Sequence, residues 1–556
     1  MAQSQNTAKQ LTSQLWSMAN DLRGKMSADE FRDYILGFIF YRYLSQKQEE
    51  YLNESGIMDR KEGESINVAY ARNVAADGIE DWRTAISRRL GYAIDPEYTW
   101  ASLMEQLHNQ TLKPEFFQSM LDRFKYNAEL AAREGNSESE RDFREVFSDM
   151  NLSDSSLGNS TSARAKSLAN IAEKIDSIEF VDEAGHDILG DVYEYLISEF
   201  ASNSGKKAGE FYTPHEVSRV LAKLVTYKDP QAPDAGKGVL WDTSRDFSLY
   251  DPTMGSGSLL LTVQQELPER TSPAQTRFYG QELNRTTYNL ARMNLMMHGV
   301  EYRAMRLRNA DTLESDWPNG TDANGVDHPL FFDAVVANPP YSQHWDNEVS
   351  KMKDPRFKDY GKLAPKSKAD FAFVEHCVYH LKDTGRMAIV LPHGVLFRGA
   401  AEGMIRKALI EKNYLDAVIG LPANLFYSTS IPTVVLVFRK NRSNNDILFI
   451  DASKDFEKGK NQNHLREEDI DKIISTYAAH EDVEKYAHVA TREEIVENEY
   501  NLNIPRYVDT FEEEEPIDID QVNKELAEVD AQIADLQAKF DAMVADLVPT
   551  DKQTGE

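Results

Sequence analysis

Cysteine is almost absent from this chain, with Cys377 the only one among 556 residues. An intrachain disulfide is therefore excluded, and so is a metal cluster built on several thiolates. Long apolar runs are missing too. The strongest near the start, YILGFIF (Tyr34 to Phe40), falls far short of the roughly 18 residues that span a bilayer, and the opening MAQSQNTAKQ is polar. The expectation is a reduced, cytoplasmic protein with no membrane segment. Several catalytic signatures are also lacking: there is no HExxH, no GxSxG, no Cys and His ligand set and no Walker GxxxxGK[ST]. No metal is expected. Positive charge is scarce, since 62 Lys plus Arg face 92 Asp plus Glu for a net −30. A phosphate backbone is attracted to clustered Lys and Arg, so this balance at first argues against a nucleic-acid partner.

The distribution of charge changes that reading. From Thr491 to Glu556 there are 19 Asp plus Glu against 5 Lys plus Arg, a balance of −14 that is nearly half the total. Lys351 to Lys368 (KMKDPRFKDYGKLAPKSK) has seven Lys or Arg against two Asp, and reads either as a phosphate-contacting island or as a solvated mobile loop.

A chain of this length, with 41% apolar residues, is too long for one core and predicts two or three domains. Leu11, Leu15, Met18 and Leu22 recur at helical spacing. Ser27 caps a second helix with Asp29 and Glu30 in its first turn, followed by an apolar face of Phe31, Tyr34, Ile35, Phe38 and Ile39. Helical patterning continues through Phe143 to Met150, and Asn151 to Ser167 is Ser-rich and aperiodic. The predicted organisation is a helical domain over 1–165, an α/β domain over 166–480, and an acidic segment with a heptad helix over 481–556. In the middle part, apolar runs ending at Tyr250, Glu282, Ala337, Leu391, Gly420 and Phe438, with ILFIDAS (Ile447 to Ser453), alternate with helical stretches such as Thr286 to Gly299 and Phe371 to Lys382. That layout predicts a doubly wound, mostly parallel sheet. At the far end Val522, Leu526, Val529, Ile533, Leu536, Phe540, Met543 and Leu547 alternate steps of four and three, a heptad seam suited to a partner helix or to folding back on its own domain.

FSLYDPTMGSGSLLL (Phe247 to Leu261) reads as a strand ending in Asp251, then a Gly-rich turn and the start of a helix. In open α/β sheets ligands sit at the carboxyl ends of strands, and Gly255 and Gly257 allow backbone amides to approach one closely. Glu282 ends the next strand, where a carboxylate can accept ribose hydroxyls, and Asp311 closes the one after and can accept an exocyclic amine. A structural turn and ordinary caps remain the plain alternatives for these residues taken singly.

Asn338, Pro339, Pro340 and Tyr341 follow the apolar run FDAVVA. Proline has no N–H and pushes the residue before it toward extended geometry, so the Asn338 amide and the Pro339 carbonyl form two acceptors suited to one NH₂ group. Tyr341 offers a ring face for stacking. The lone pair of an aromatic amine is delocalised, and two acceptors on its hydrogens free it to attack an electrophilic carbon such as a sulfonium methyl. Positioning and fixed dipoles then supply most of the acceleration, with no metal or strong base required.

With DPTMGSGSLL, NPPY, the opening ANDLRGKMSADEFRDYILGFIFYRYLS, DILGDVYEYLISEFA, GEFYTP and NLNIPRYV, nearly the whole chain resembles the modification subunits of type I restriction-modification systems. These are S-adenosylmethionine-dependent N6-adenine DNA methyltransferases. The resemblance implies a Rossmann-like methyltransferase domain with an N-terminal helical domain and a C-terminal coiled-coil-like helix. Glu210, Phe211, Tyr212, Thr213 and Pro214, with His215, would line the cofactor pocket. Asp251, Gly255, Ser256, Gly257 and Ser258 would cradle the methionine end of S-adenosyl-L-methionine, Glu282 the ribose and Asp311 the adenine. Asn338, Pro339, Pro340 and Tyr341 would receive a target adenine flipped out of double-stranded DNA. Implied partners are a sequence-reading specificity subunit, a second copy of the chain and, for restriction, a motor-nuclease subunit. Two rival readings keep parts of the pattern: methylation of a protein glutamine or an RNA base, and a nucleic-acid scaffold without turnover.

Overall fold

Among the described residues, eleven short segments adopt extended backbone: β1 (Phe247–Asp251), β2 (Thr276–Glu282), β3 (Met305–Asn309), β4 (Phe332–Ala337), β5 (Leu381–Pro392), β6 (Leu415–Gly420), β7 (Thr433–Arg439), β8 (Ile447–Asp451), β9 (Glu457–Lys458), β10 (Asn463–His464) and β11 (Ala487–Ala490). In the computed structural model the described residues are 28–134, 143–178, 180, 189–203, 213–227, 246–267, 276–314, 326, 328–426, 429–460, 462–509 and 519–545. Nine strands form one sheet in the order β11-β8-β6-β7-β5-β4-β1-β2-β3, while β9 and β10 make a separate ribbon. Pairing is parallel from β3 through β2, β1 and β4 to β5, and again between β6 and β8. Strand β7 runs antiparallel to both β5 and β6, and β11 runs antiparallel to β8. All six positions of β4 are buried, as expected for a central strand covered on both faces.

The runs read as ending at Tyr250, Glu282, Ala337, Leu391, Gly420 and Phe438 match the strand ends to within a residue, whereas β8 stops two residues short of Ser453 and β3 two short of Asp311, and the ribbon β9–β10 and strand β11 escaped notice. Strand β11 is the one that matters for the sheet. Its four residues AHVA are half-buried and carry a histidine, too short and too mixed for an apolar run. Its pairing with β8 draws residues beyond 480 into the sheet. The chain accordingly divides at Val508/Asp509 rather than at 480/481. The expected 165/166 boundary does not divide the chain either, since everything up to Val508 belongs to one compact unit. It falls inside the helix Thr161–Asp176, which starts within the Ser-rich stretch because the Ser160 hydroxyl accepts the Ala163 N–H at 3.2 Å. That helix packs against Ala28–Glu54, so it belongs with the N-terminal helices.

Within Ala28–Glu54 the expected apolar face is buried at Tyr34, Ile35, Phe38 and Ile39. The side chain of Phe31, the Ser27 cap and the Leu11 to Leu22 pattern lie outside the described residues. Tyr43 on this helix donates to the Met296 carbonyl at 2.6 Å, tying the helical layer to Arg285–Met297, which lies on the sheet next to β2 and β3. The second unit contains the helix Ile519–Ala545, and each of its residues is exposed. Leu547, the last of the heptad positions, lies outside the described residues. No helix among the described residues is long and apolar enough to cross a membrane.

One buried carboxylate fixes the register that matters for the site. Asp333, at the start of β4, accepts from the Ser248 N–H (2.9 Å) and hydroxyl (2.7 Å) on β1 and from Lys382 (2.7 Å) on β5. It thereby sets Leu249 beside Ala334 and Tyr250 beside Val335. Asp333→Ala strands a backbone N–H, a hydroxyl and an ammonium, and should cost about 3 kcal/mol in a denaturant titration. Asp333→Asn keeps an acceptor and should cost clearly less.

Candidate active site

The turn after β1 is shaped by two glycines. Gly255 (φ 53°) and Gly257 (φ 79°) occupy the left-handed region that side chains disfavour. Gly257 caps the helix Ser258–Glu266 without a side-chain acceptor, so the first-turn amides keep their hydrogens for a ligand. A cavity of about 650 Å³ opens over this turn, walled by Gly255, Ser256 and Ser258 from β1, by Glu282 from β2, by Asp311 beyond β3, and by Asn338 and Pro340 beyond β4. Thr213, Thr312, Gln343 and Phe373 are also part of the wall.

The three strand-end acids differ in their surroundings. Asp251 is fully buried beneath the turn; its Oδ1 accepts the Thr253 N–H at 2.9 Å, and its Oδ2 has no hydrogen-bond partner. Burial, with the nearby Glu282 adding to it, pushes the Asp251 carboxyl up to about 8. Glu282 accepts from the Asn284 N–H (2.7 Å) and the Gly255 N–H (3.2 Å), and burial holds its carboxyl above the usual range against those bonds. Asp311 caps the turn to Leu313 through Oδ1 at 2.9 Å. It sits two residues past the end of β3 rather than on it.

At the β4 corner the Asn338 amide is held from both sides. Its Nδ2 donates to the Thr213 hydroxyl at 3.0 Å, and its Oδ1 accepts from the Tyr341 hydroxyl at 2.9 Å. Burial raises the Tyr341 phenol, which keeps it a neutral donor. The Tyr341 ring meets Phe426 edge-on, with centroids 6.2 Å apart. The next residue, Ser342, has φ 53°, a costly value for a side-chain-bearing residue. It is held there by the buried Asp370, which accepts the Ser342 N–H at 2.8 Å and is itself paired with Arg398.

Of the residues singled out from sequence, Thr213, Gly255, Ser256, Ser258, Glu282, Asp311, Asn338 and Pro340 line the one cavity. Asp251, Gly257, Pro339 and Tyr341 adjoin lining residues in the chain but do not themselves line it. Pro214 and His215 begin the helix His215–Thr226 and do not line it. Glu210, Phe211 and Tyr212 lie outside the described residues. Sequence reading missed Phe373, Phe426 and Asp370. Phe373 and Asp370 belong to a mostly apolar helix that reads as plain core, and Phe426 stands in a loop with no periodicity at all.

The family described as N-6 DNA Methylase matches residues 184–516, and the HsdM N-terminal domain matches residues 11–175. The chain belongs to the N-6 DNA methylase family. Among similar proteins, the methylase subunit of the type I restriction enzyme MpnII of Mycoplasma pneumoniae is 36% identical over 544 residues, covering 96% of this chain and 95% of that one. The HindI methylase subunit of Haemophilus influenzae is 33% identical over 59% of this chain and 70% of its own. The crystal structure of a type I restriction-modification methyltransferase subunit from Streptococcus thermophilus aligns with TM-score 0.77 and 44% identity, over 91% of this chain and all of that one. The protein is thus a type I restriction-modification methylase subunit, an adenine-specific DNA methyltransferase by family. Neither rival reading, another amino acceptor or a scaffold without turnover, finds support in these matches.

Asp251 generates a pH signature in the ligand-free protein. Its folded value near 8 exceeds the ordinary 3.8, so the stability it contributes is full below about 4 and is lost as pH rises through 8. Asp251→Asn removes the titration. In thermal melts between pH 5 and 9, the loss of Tm with rising pH should be shallower in the variant than in the parent.

Proposed function

We propose that the cavity binds S-adenosyl-L-methionine and that the enzyme transfers its methyl group to N6 of an adenine flipped out of double-stranded DNA. The observation that carries this reading is that Asn338 shares one cavity with Glu282, Asp311 and the Gly255, Ser256 and Ser258 part of the glycine turn. Three features fit a nucleoside with a cationic amino-acid tail: the unpartnered Oδ2 of Asp251, the uncapped helix start at Ser258, and the left-handed Gly255 with no side chain to obstruct approach. Asp251 and Gly255 to Ser258 would hold the methionine end. Glu282 would take the ribose hydroxyls, since each of its oxygens has a lone pair beyond the one its N–H partner uses. Asp311, with Oδ2 outside its turn bond, would accept the adenine amine, and Phe373 supplies an apolar wall. Glu210, Phe211, Tyr212, Thr213, Pro214 and His215 are proposed along the entrance to the same pocket.

When bound, the cofactor supplies an electrophilic sulfonium methyl. The chain supplies positioning. Thr213 orients the Asn338 amide so that Oδ1 faces Tyr341, and the second lone pair of that oxygen, with the Pro339 carbonyl, grips the target amine. Pro340 stiffens the corner, and Tyr341 and Phe426 furnish aromatic walls for the base. Fixed dipoles in a site with little water need no reorganisation during the transfer.

The proposed assembly is two copies of this chain with one specificity subunit that reads the DNA sequence, joined by a motor-nuclease subunit for restriction. The N-terminal helical layer is proposed to meet DNA and partners. The heptad positions Val522, Leu526, Val529, Ile533, Leu536, Phe540 and Met543 are between 41% and 65% exposed, an apolar stripe of the kind a partner helix covers.

Purified with its specificity subunit, the protein should incorporate tritiated methyl groups into DNA and into neither RNA nor protein. Asn338→Ala should lower that rate by about 10³-fold with cofactor affinity kept, by analogy with the loss of one preorganised polar group elsewhere; near-parental activity would remove the mechanism. Ending the chain at Val508 should leave thermal stability intact while the specificity subunit no longer co-purifies.

A further inference from the structure

Between β4 and the helix Asp370–Tyr379 the chain runs from Asn338 to Ala369 with only two short 3₁₀ turns, Val349–Lys353 and Lys358–Tyr360. Sequence alone left this island open as a mobile loop, but it is built down onto the body. Phe357 is fully buried, and Trp345 and Tyr360 are nearly so. The Arg356 guanidinium, also buried, donates to the Thr312 carbonyl at 2.9 Å, pairs with Asp354 at 2.6 Å and meets His376 Nδ1 at 3.2 Å. Main-chain bonds join the island to the acceptor corner: Trp345 N–H to the Lys366 carbonyl (3.0 Å) and Ala369 N–H to the Gln343 carbonyl (2.9 Å). Gln343 and Thr312 both line the cavity, so the island is bolted to two of its walls.

What this scaffold presents outward is charge. Lys353, Lys358, Lys362 and Lys366 are exposed and Lys368 half-exposed. None of the five has an ion-pair partner among the described residues, although acids outnumber bases in the chain by 92 to 62. Lys351, by contrast, is spent on Glu314 at 2.6 Å and lies over Trp345. Ordering an irregular segment of this length costs conformational entropy that a merely solubilising surface does not require. Five unpaired ammonium groups on fixed backbone suit a row of phosphates, each a point charge with no base identity.

We propose that this platform is a phosphate clamp that grips the sugar-phosphate backbone flanking the acceptor nucleotide, holding the strand while the base enters the cavity. The proposal rests on the DNA-methylation reading above and adds to it the surface that supplies sequence-independent affinity. An acidic protein segment is the competing occupant. The DNA rank is higher because the platform is joined to the walls of the acceptor cavity, where a duplex must come close for its base to be flipped.

The test uses the complete complex with its specificity subunit. In K353Q/K358Q/K362Q/K366Q, the slope of log affinity against log salt should fall in magnitude by about 2 to 4, roughly 0.9 for each phosphate contact removed. Affinity should drop for cognate and non-cognate DNA alike, and KM for DNA should rise, with kcat at saturating DNA within about twofold, and cofactor affinity and Tm unchanged. The four Lys→Arg changes should restore the slope. An unchanged salt slope and KM in the Gln variant, with a parent complex that methylates DNA, would overturn the clamp while leaving the enzyme's assigned reaction standing. Altered salt dependence of subunit assembly with an unchanged DNA slope would overturn it in favour of an acidic protein partner. A parent complex that fails to methylate DNA would overturn the underlying reading and the clamp with it.

Discussion

The parallel pairing of β1 with β4 is the contact on which the rest depends. Strands β2 and β3 extend the sheet to one side of β1, and β4 and β5 extend it to the other, so the crossovers change direction between β1 and β4. Such a switch point leaves a crevice at the carboxyl ends of the two strands. The glycine turn after β1 and the Asn338 corner after β4 both open into it. Asp333 pins the pairing, because a slip of one residue would turn every alternate side chain to the other face and part the two corners. Neither corner has a reason to exist without the other. A cradle for a donor and a grip for an amine have to meet within a few ångströms for positioning to contribute to rate.

The site is held by burial and backbone hydrogen bonds more than by ion pairs. Asp251 is buried beneath the turn with no ion pair among the described residues, and Glu282 is stabilised by two N–H groups. Asn338 is a neutral amide fixed by two hydroxyls. A carboxyl held near pH 8 by burial is largely protonated in the ligand-free protein and gains a reason to ionise when a cation arrives beside it. Asp370 shows the same economy one layer out, with a single buried acid keeping Ser342 left-handed and so fixing where the turn after Tyr341 leads.

Much of this was legible in the sequence, for physical reasons that differ by element. The apolar runs of a buried parallel sheet are nearly continuous and so stand out, which is why the ends of β4 and β6 were read to the residue. The glycine turn and Asn-Pro-Pro-Tyr were legible because their backbone demands few residue types. What stayed hidden depends on distant partners. Strand β11 exists because β8 offers an edge, and the helix Thr161–Asp176 begins in a Ser-rich stretch because one of those serines caps it. Phe426 comes near Tyr341 only through the sheet order, and Asp370 gains its role from a turn 28 residues earlier. The division of the chain moved to Val508/Asp509 for the same cause, since pairing across the sheet carries no local signature.

A net charge of −30 looks ill suited to a polyanion, and its placement explains how the two are compatible. At about 0.15 M salt an exposed charge is felt over roughly 8 Å, so distant charges contribute little at any one point of a surface. What a phosphate meets is then the local surface, where Lys353, Lys358, Lys362 and Lys366 stand without carboxylate partners, and not the sum over the chain. On the proposed reading, attraction confined to the neighbourhood of one cavity, within a repulsive whole, would bring a duplex to the place where an adenine leaving its stack would meet Asn338.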